Sequence, residues 1–338
     1  MTDQTYMNLC IELAKKGLPE AFPNPLVGCV IVHDDIIIGQ GYHKQYGQAH
    51  AEVNAINSVS DKSLLAQSTL YVSLEPCAHQ GKTPPCADLI IKHQIPKVVI
   101  GSLDTYSKVN GLGIQRLKKA GIEVITSVLE TNCRLLNKRF FTFHEKKRPF
   151  ILLKWAKSAD GYLAPLNQDK PFWLTGTDSK KLVHQWRSEE SAILVGKNTV
   201  LKDNPLLTTR EVNGHNPIRL VIDKKCSLDK NQFAIFNKEA KTFVINDSLE
   251  NDTHIKVNFS YFIDSLMSEL HKRNIQSVLV EGGAHTLQFF IETNCWDEAR
   301  VFTSTKSLEQ GLQSPVFEYS TTKSKRMNED MLHYFYNL

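Results

Sequence analysis

The sequence predicts an α/β protein that is divided into two domains. A length of 338 residues is more than one ordinary hydrophobic core accommodates. In both halves, apolar runs of strand length alternate with amphipathic stretches of helix length, which is typical of sheets covered by helices. Between the halves, the stretch 140–149 ends in basic residues and a proline. We therefore predict domains at residues 1–145 and 146–338.

The first half begins with an amphipathic pattern over residues 5–16, which predicts a helix. Two β runs at 26–32 and 36–43 follow, and His33-Asp34-Asp35 between them predicts a hairpin turn. The other elements alternate along the chain, with Gly121 predicted to end the last helix. They are a helix at 49–59, a strand at 69–75, a helix at 86–93, a strand at 98–104, a helix at 113–120 and a strand at 122–128.

The second half repeats this alternation without an internal sequence repeat or a low-complexity tract. Strands are predicted at 150–155, 192–195, 218–223, 242–246, 277–281 and 299–303, and helices at 179–187, 261–273 and 285–292. The pattern indicates a second α/β domain.

Composition excludes several classes of protein. A formal charge of +4 argues against a dedicated nucleic-acid binder. We find no apolar run near the ~20 residues of a membrane-spanning helix, and no signal peptide at the start. The seven cysteines are scattered, as expected in a reducing cytoplasm, where cysteines grouped with a histidine more often bind metal than form disulfides.

The strongest chemical pattern is His50-Ala51-Glu52, followed by Pro76-Cys77 and then Cys86. One histidine and two cysteines suit Zn²⁺ with its fourth tetrahedral position open to water. Glu52 is not needed as a ligand, so it is a candidate proton carrier; this is the arrangement of the zinc deaminases. The alternative is a purely structural zinc site, for which His79 is the nearest fourth ligand.

Eight residues separate the two cysteines, whereas deaminases of free bases or polynucleotides usually have two. The intervening segment 78–85 carries His79 and Lys82, which could hold a phosphate or a ribose. It could also be a proline-stiffened connector.

With these motifs the chain resembles the bifunctional deaminase/reductase family of riboflavin biosynthesis. The first half matches it at PNPLVG (23–28), HAEVNA (50–55) and LEPCAHQGKTPPCA (74–87). The resemblance implies a cytidine-deaminase-like domain of three layers, with His50, Cys77 and Cys86 on zinc and Glu52 catalytic. It places the deaminase substrate against Asn24, His43, His79, Lys82 and Asp104.

The second half resembles the same family at residues 154–161, 173–175, 199–210 and 281–284. The resemblance implies a dihydrofolate-reductase-like domain that uses NADPH. Implied cofactor contacts are Ala156, Trp173, Thr199, Asp203, Gly283, Ala284, His285 and Thr286. Implied substrate contacts of the reductase are Lys154, Arg187, Leu207, Arg210 and Glu281.

The residue types of the second half support the implied reductase only in part. The chain has no GxGxxG between a strand and a helix, so NADPH rests on the resemblance. Glu281-Gly282-Gly283, between an apolar strand and a helix, is a candidate phosphate cradle, or else a turn that needs glycine. Arg187 and Arg210 are candidates for gripping a phosphate. Trp173 could instead be a core residue.

The resemblance implies hydrolytic deamination of 2,5-diamino-6-(5-phosphoribosylamino)pyrimidin-4-one, followed by NADPH-dependent reduction of its ribosyl group to ribityl. It implies a small-molecule substrate and a homo-oligomer, with no nucleic acid or membrane partner. One rival is a tRNA- or nucleobase-editing deaminase with an appended binding domain, which predicts a basic stripe and a short inter-cysteine loop. Another is a non-catalytic zinc-stabilised nucleic-acid-binding module, which predicts a fourth ligand and an idle Glu52.

Overall fold

The computed structural model describes residues 1–78, 84–105, 111–166 and 172–337. The chain divides into two compact units, Met1–Lys146 and Lys147–Leu338. Each unit is built on its own β-sheet. Within the described ranges, no helix is both long enough and apolar enough to cross a lipid bilayer.

The first unit contains a five-stranded sheet and six α-helices in its described part. The strands are β1 (Gly28–His33), β2 (Ile36–Tyr42), β3 (Thr69–Leu74), β4 (Lys97–Ser102) and β5 (Glu123–Ile125), in the spatial order β2-β1-β3-β4-β5. The helices are α1 (Asp3–Lys15), α2 (Ala51–Ser58), α3 (Cys86–Lys92), α4 (Leu112–Lys119), α5 (Glu130–Leu136) and α6 (Lys138–Glu145). A 3₁₀ turn covers Lys62–Gln67.

This unit has the three layers expected of a cytidine-deaminase-like domain. Alternate residues of β1 face opposite sides, as the period of a strand requires. Cys29 and Ile31 pack with α2, α3 and α4 on one side, whereas Val30 and Val32 pack with α1 and α5 on the other. The predicted hairpin is confirmed: Asp34 and Asp35 both have positive φ, which is the conformation of a two-residue type I′ turn.

Helices α5 and α6 were not predicted from the sequence. The aromatic part of the stretch 140–149 is helix α6 rather than a connector, because Phe140 and Phe141 are buried against Leu74. The sequence of α6 shows no clear helical periodicity, because its aromatic residues stand next to one another instead of recurring at helical spacing.

The second unit contains a nine-stranded sheet, with the spatial order β11-β10-β9-β8-β12-β6-β13-β16-β15. In this order, the seven strands from β11 to β13 are parallel to one another. Strand β16 is antiparallel to β13, and β15 is antiparallel to β16. Their bounds are β6 (Phe150–Lys157), β8 (Ala192–Gly196), β9 (Ile218–Ile222), β10 (Thr242–Asn246), β11 (His254–Lys256), β12 (Ser277–Val280), β13 (Glu298–Thr303), β15 (Lys323–Met327) and β16 (Asp330–Tyr336). Two further short strands, β7 (Tyr162–Ala164) and β14 (Leu312–Gln313), pair with each other.

Helices cover both faces of this sheet. They are α7 (Thr177–Glu189), α8 (Lys197–Asp203), α9 (Phe262–Lys272) and α10 (Ala284–Glu292), with 3₁₀ turns at Ala234–Phe236 and Phe259–Tyr261. Residues of α9 and α10 pack with Ile151 and Leu153, and residues of α7 and α8 pack with Phe150 and Leu152. The edge strand β15 and its neighbour β16 were not predicted. The residues of β15 are mostly exposed and basic, and those of β16 mix polar and aromatic types, so neither strand has a clear apolar alternation.

Candidate active sites

Four predicted site segments of the first unit meet at one edge of its sheet. Strands β2, β3 and β4 run in the same direction and β1 runs in the opposite one. His43, Cys77 and Asp104 therefore follow three strand ends at the edge where Asn24 precedes the start of β1. Open α/β sheets carry their binding sites at such an edge.

The side chains of His50, Cys77 and Cys86 converge there. Their ligand atoms lie within 4.8 Å of one another. His50 Nδ1 is 3.6 Å from Cys77 Sγ and 3.3 Å from Cys86 Sγ. A tetrahedral zinc with bonds of ~2.3 Å to sulfur and ~2.1 Å to nitrogen separates such atoms by about 3.5 Å, so the three residues fit this metal. In the described part of the chain, no further His, Cys or carboxylate belongs to the group.

Local backbone structure places these ligands. His50 is the N-cap of α2, and Cys86 is the first residue of α3. Helix α2 lies close to β2 because Gly41 has no side chain: a Cβ there would be 2.4 Å from the backbone nitrogen of Ala55. The N–H of Cys86 donates to Cys77 Sγ at 3.3 Å, and donors of this kind stabilise a thiolate. Hydrogen bonding from the Cys86 thiol and from His50 lowers the pKa of Cys77.

Glu52 lies in the first turn of α2, and only 3% of its surface is exposed. Burial, and then the neighbouring Cys77, raises the pKa of Glu52 to about 7. His50 and the Cys86 side chain act in the opposite direction and lower the pKa of Glu52. A carboxyl group next to a metal-ligand set, with a pKa near neutrality, is suited to carrying a proton.

His43 and Asn24 are joined beside this group. His43 Nδ1 donates to the Ala49 carbonyl at 3.1 Å, so its Nε2 accepts from Asn24 Nδ2 at 3.0 Å. The ring lies edge-on to that of His50, with centroids 5.4 Å apart, and burial lowers the pKa of His43. Asp104 is also buried at this edge. His79 and Lys82 lie outside the described residues.

The second unit brings together three charged residues that the resemblance assigns to substrate. Arg187 Nε and Nη2 donate to the two carboxylate oxygens of Glu281 at 2.8 and 2.9 Å. Lys154 Nζ lies 3.7 Å from the same carboxylate. Although burial alone would raise it, Arg187 and Lys154 hold the pKa of Glu281 at about 2. Burial lowers the pKa of Lys154.

Arg210 adds another cation to this cluster. Its Nη1 donates to Thr208 Oγ1 at 2.9 Å, and Arg187 Nη1 donates to the Thr208 carbonyl at 3.4 Å. The backbone N–H of Arg210 donates to Nδ1 of the buried His184 at 3.1 Å. Leu207 precedes Thr208 and is buried. Arg187 and Lys154 thus share the Glu281 carboxylate, with Arg210 close to Arg187 at Thr208, and the positive charge of this cluster suits an anionic substrate.

Four of the eight predicted cofactor residues belong to one strand–turn–helix unit, and Thr199 contacts it. Glu281-Gly282-Gly283 joins β12 to α10, and β12 pairs with β8, which leads into α8. A larger residue would not fit, because a Cβ at Gly282 would lie 2.7 Å from Thr286 Cβ. The Gly283 N–H donates to Thr199 Oγ1 at 3.1 Å.

The start of α10 fits the pyrophosphate of a dinucleotide. The first N–H groups of a helix have no partner within it, and here they belong to Ala284, His285 and Thr286. Asp203 ends α8, and Ala156 lies on the central strand β6.

Trp173 is 53% exposed, so it is not a core residue. Lys180 Nζ lies 5.0 Å from its ring centroid, and Lys306 Nζ donates to its carbonyl at 3.3 Å. The buried Ser304 hydroxyl donates to the next carbonyl, that of Leu174, at 2.9 Å. Ser304 and Lys306 therefore hold the segment that presents this ring.

Sequence reasoning missed two buried residues at these sites, Glu75 and His184. Glu75 stands directly before Pro76-Cys77, and its carboxylate accepts four backbone N–H groups. A buried glutamate at a strand end next to a metal ligand is a usable signal. His184 gave none, because a single histidine on an amphipathic helix has no distinctive spacing.

Comparison with known protein families agrees with this geometry. Residues 1–102 match the cytidine and deoxycytidylate deaminase zinc-binding region, and residues 149–328 match the RibD C-terminal domain. The riboflavin biosynthesis protein RibD of Aquifex aeolicus is 39% identical over 92% of this chain and 89% of its own length. That of Bacillus amyloliquefaciens is 39% identical over 89% of this chain and 84% of its own length.

A solved structure extends the similarity to the fold. It is the diaminohydroxyphosphoribosylaminopyrimidine deaminase/5-amino-6-(5-phosphoribosylamino)uracil reductase of Thermotoga maritima, which is 38% identical. The alignment covers 99% of both chains with a TM-score of 0.90.

Fold, metal-ligand set and similarity together define a bifunctional enzyme, a zinc-dependent deaminase joined to an NADPH-dependent reductase with a dihydrofolate-reductase-like fold. The chain belongs to the RibD family of riboflavin biosynthesis proteins. The predicted family and fold class are confirmed, and the editing-deaminase alternative is not supported.

Proposed function

We propose that residues 1–145 deaminate 2,5-diamino-6-(5-phosphoribosylamino)pyrimidin-4-one at the site formed by His50, Cys77, Cys86 and Glu52. The observation that carries this proposal is the three-residue ligand set with a buried carboxyl group beside it. When bound, zinc supplies a Lewis acid that makes water nucleophilic near neutral pH. A non-catalytic zinc module would have no use for the buried Glu52.

In this proposal Glu52 takes a proton from the attacking water and delivers it to a ring nitrogen of the substrate. As the water oxygen bonds to the ring carbon, a hydroxyl group forms there. Glu52 then passes the proton of this hydroxyl to the amine, so that the carbon–nitrogen bond breaks, the carbonyl forms and ammonia leaves. Asn24, His43 and Asp104 lie at the same sheet edge and contact the pyrimidine and its ribose; His79 and Lys82 are proposed to contact the same substrate. Because His43 Nδ1 is held by Ala49, its neutral tautomer orients the Asn24 amide.

Residues 146–338 are proposed to reduce the deaminated product at C1 of its open-chain ribosyl group. Arg187 and Arg210, which share Thr208, contact the substrate phosphate; Lys154, Leu207 and Glu281 complete the substrate side. Paired guanidinium groups favour phosphate, and Glu281 fixes the orientation of Arg187.

The cofactor side of this site is proposed to consist of the residues around the start of α10. NADPH, when bound, supplies the hydride. Gly283, Ala284, His285 and Thr286 cradle its pyrophosphate, and Ala156, Trp173, Thr199 and Asp203 line the rest of its path.

A coupled assay with metal removal tests the assignment. Wild-type protein is supplied with the diaminopyrimidine phosphate, and ammonia and NADPH oxidation are followed separately. We expect ammonia release without NADPH, and NADPH oxidation only after ammonia release. Chelation of zinc should stop ammonia release but leave NADPH oxidation on the deaminated uracil intact. NADPH oxidation that needs no prior deamination would contradict the order of steps.

From the family resemblance we also propose that the enzyme acts in the cytoplasm as a homo-oligomer. The seven cysteines are free thiols, which agrees with a reducing compartment. Sedimentation velocity of the purified protein would measure the oligomeric state, and a single monomeric species would contradict the proposed homo-oligomer.

A further inference from the structure

The carboxylate of Glu75 links the metal-ligand turn of the first unit to the segment that carries Asp104. Glu75 follows β3, two residues before Cys77, and is 4% exposed. Its N–H donates to the Ser102 carbonyl at 2.9 Å, which continues the pairing of β3 with β4. This backbone contact places the side chain between the ends of two strands.

Both carboxylate oxygens of Glu75 accept backbone hydrogen bonds. Oε2 accepts from the N–H groups of Asp104 and Gly111 at 3.3 and 3.0 Å. Oε1 accepts from those of Gly113 and Ile114 at 3.0 and 3.3 Å. Because Gly113 and Ile114 lie in the first turn of α4, the negative charge also interacts favourably with the helix dipole.

A close backbone approach at Gly113 adds to this attachment. A Cβ at Gly113 would lie 2.0 Å from the carbonyl oxygen of Pro76, so another residue type would displace α4 from the Cys77 turn. The start of α4 is thus fixed to the turn by Gly113 and by Glu75. Glu75 therefore connects Asp104, Gly111 and the start of α4 to the turn that carries Cys77.

We propose that Glu75 is a positioning residue of the deaminase, which orients Asp104 for substrate binding without touching metal or substrate. Both of its oxygens accept hydrogen bonds from backbone N–H groups, so its side chain is held by the protein backbone and is directed away from a role as a ligand. The inference rests on the proposed deaminase function.

The test is the substitution Glu75→Gln. An amide group is both donor and acceptor, so its NH₂ would face two of the N–H donors and leave them unsatisfied. We expect the KM for the diaminopyrimidine phosphate to rise on the order of tenfold, which corresponds to ~1.4 kcal/mol. We expect kcat to change little, zinc to remain at about one per chain, and amide hydrogen exchange over residues 111–114 to become faster.

Asp88→Asn is the matched control. Asp88 also joins α3 to α4, through Arg116 at 2.8 Å, but this pair is exposed. Exposed ion pairs contribute little, so KM and amide exchange should stay at wild-type values. Glu75→Asp keeps the carboxylate on a shorter side chain, so a smaller rise in KM with zinc retained is expected. If Glu75→Gln does not fold, the KM of Glu75→Asp tests the positioning role in its place.

The possible failures are distinguishable. An unchanged KM in folded Glu75→Gln, or in Glu75→Asp when Glu75→Gln does not fold, would overturn the positioning role. Loss of zinc from the variant would also overturn the positioning role, because Glu75 would then support the metal ligand Cys77. Absence of ammonia release from the wild-type enzyme would overturn the deaminase proposal itself, and this inference with it.

Discussion

The two candidate sites are built in different ways. In the first unit, the ligand set comes from three short motifs placed at strand ends and at the starts of helices α2 and α3. In the second unit, the central contact joins Arg187 to Glu281, 94 residues further along the chain. The first site shows its chemistry in residue types and spacing. The second acquires its chemistry only when the fold brings opposite charges together.

The largest expected effect concerns the proton carrier of the first site. Glu52→Gln keeps size and burial but removes the group that moves protons, so ammonia release should fall by roughly 10²- to 10⁴-fold. Zinc should stay at about one per chain, because Glu52 is outside the ligand set. Colorimetric ammonia release and metal analysis on the same sample measure both quantities.

Glu12→Gln, at an exposed ion pair of α1, serves as the control and should behave like wild type. If Glu52→Gln retained near-normal turnover, the first site would not work as described, and its contrast with the second would disappear.

Glu281→Gln tests the long-range contact of the second site. It leaves the buried Arg187 and Lys154 without their shared counter-charge, which typically destabilises a protein by about 3–5 kcal/mol. We also expect a loss of about 10²-fold in kcat/KM for NADPH oxidation with the deaminated uracil, because Arg187 loses its orientation. Thermal unfolding and NADPH absorbance report the two effects.

The matched control is Glu292→Gln, at the exposed end of α10. It should change neither quantity. Wild-type stability and activity in Glu281→Gln would mean that the ion pair does not organise this site.

Arg210→Lys tests whether phosphate binding in the second site needs a guanidinium group. Lysine keeps the positive charge but cannot make two parallel hydrogen bonds. We expect the reductase KM for the uracil phosphate to rise about tenfold, with NADPH affinity unchanged. Steady-state kinetics with each substrate varied in turn makes the distinction, and equal losses for both would place Arg210 outside the phosphate site.

The smallest expected effect is a pH dependence of stability at His184. Burial, together with Arg187 and Arg210, lowers the pKa of His184 from 6.5 to about 4. The unfolded chain therefore binds more protons in this window, so stability is full above pH 6.5 and is lost as pH falls toward 4.

His184→Gln keeps an acceptor for the Arg210 N–H but does not titrate. Its melting temperature should fall less than that of wild type between pH 6.5 and 4. Parallel decreases in the two proteins would show that His184 does not contribute.

The same contrast explains how much could be predicted from the sequence. The predicted strands of both sheets and the grouping of His50, Cys77 and Cys86 follow from local patterns, because strand length and ligand spacing are short-range properties. Helix α6 was missed because its aromatic residues are buried against the distant Leu74, and strands β15 and β16 were missed because they lack a clear apolar alternation. The position of Glu75 beside Pro76-Cys77 marks it as a candidate, but no spacing rule reports the backbone contacts that Glu75 and His184 make with other segments.

The central claim is that one chain carries two sites whose chemistries are separate. The most direct measurement follows ammonia release and NADPH oxidation for both Glu52→Gln and Glu281→Gln, each with the diaminopyrimidine and with the deaminated uracil. We predict that Glu52→Gln loses ammonia release but oxidises NADPH normally with the uracil. Glu281→Gln should release ammonia normally and oxidise NADPH poorly. If either folded variant lost both activities, the two sites would not be separate and the claim would be contradicted.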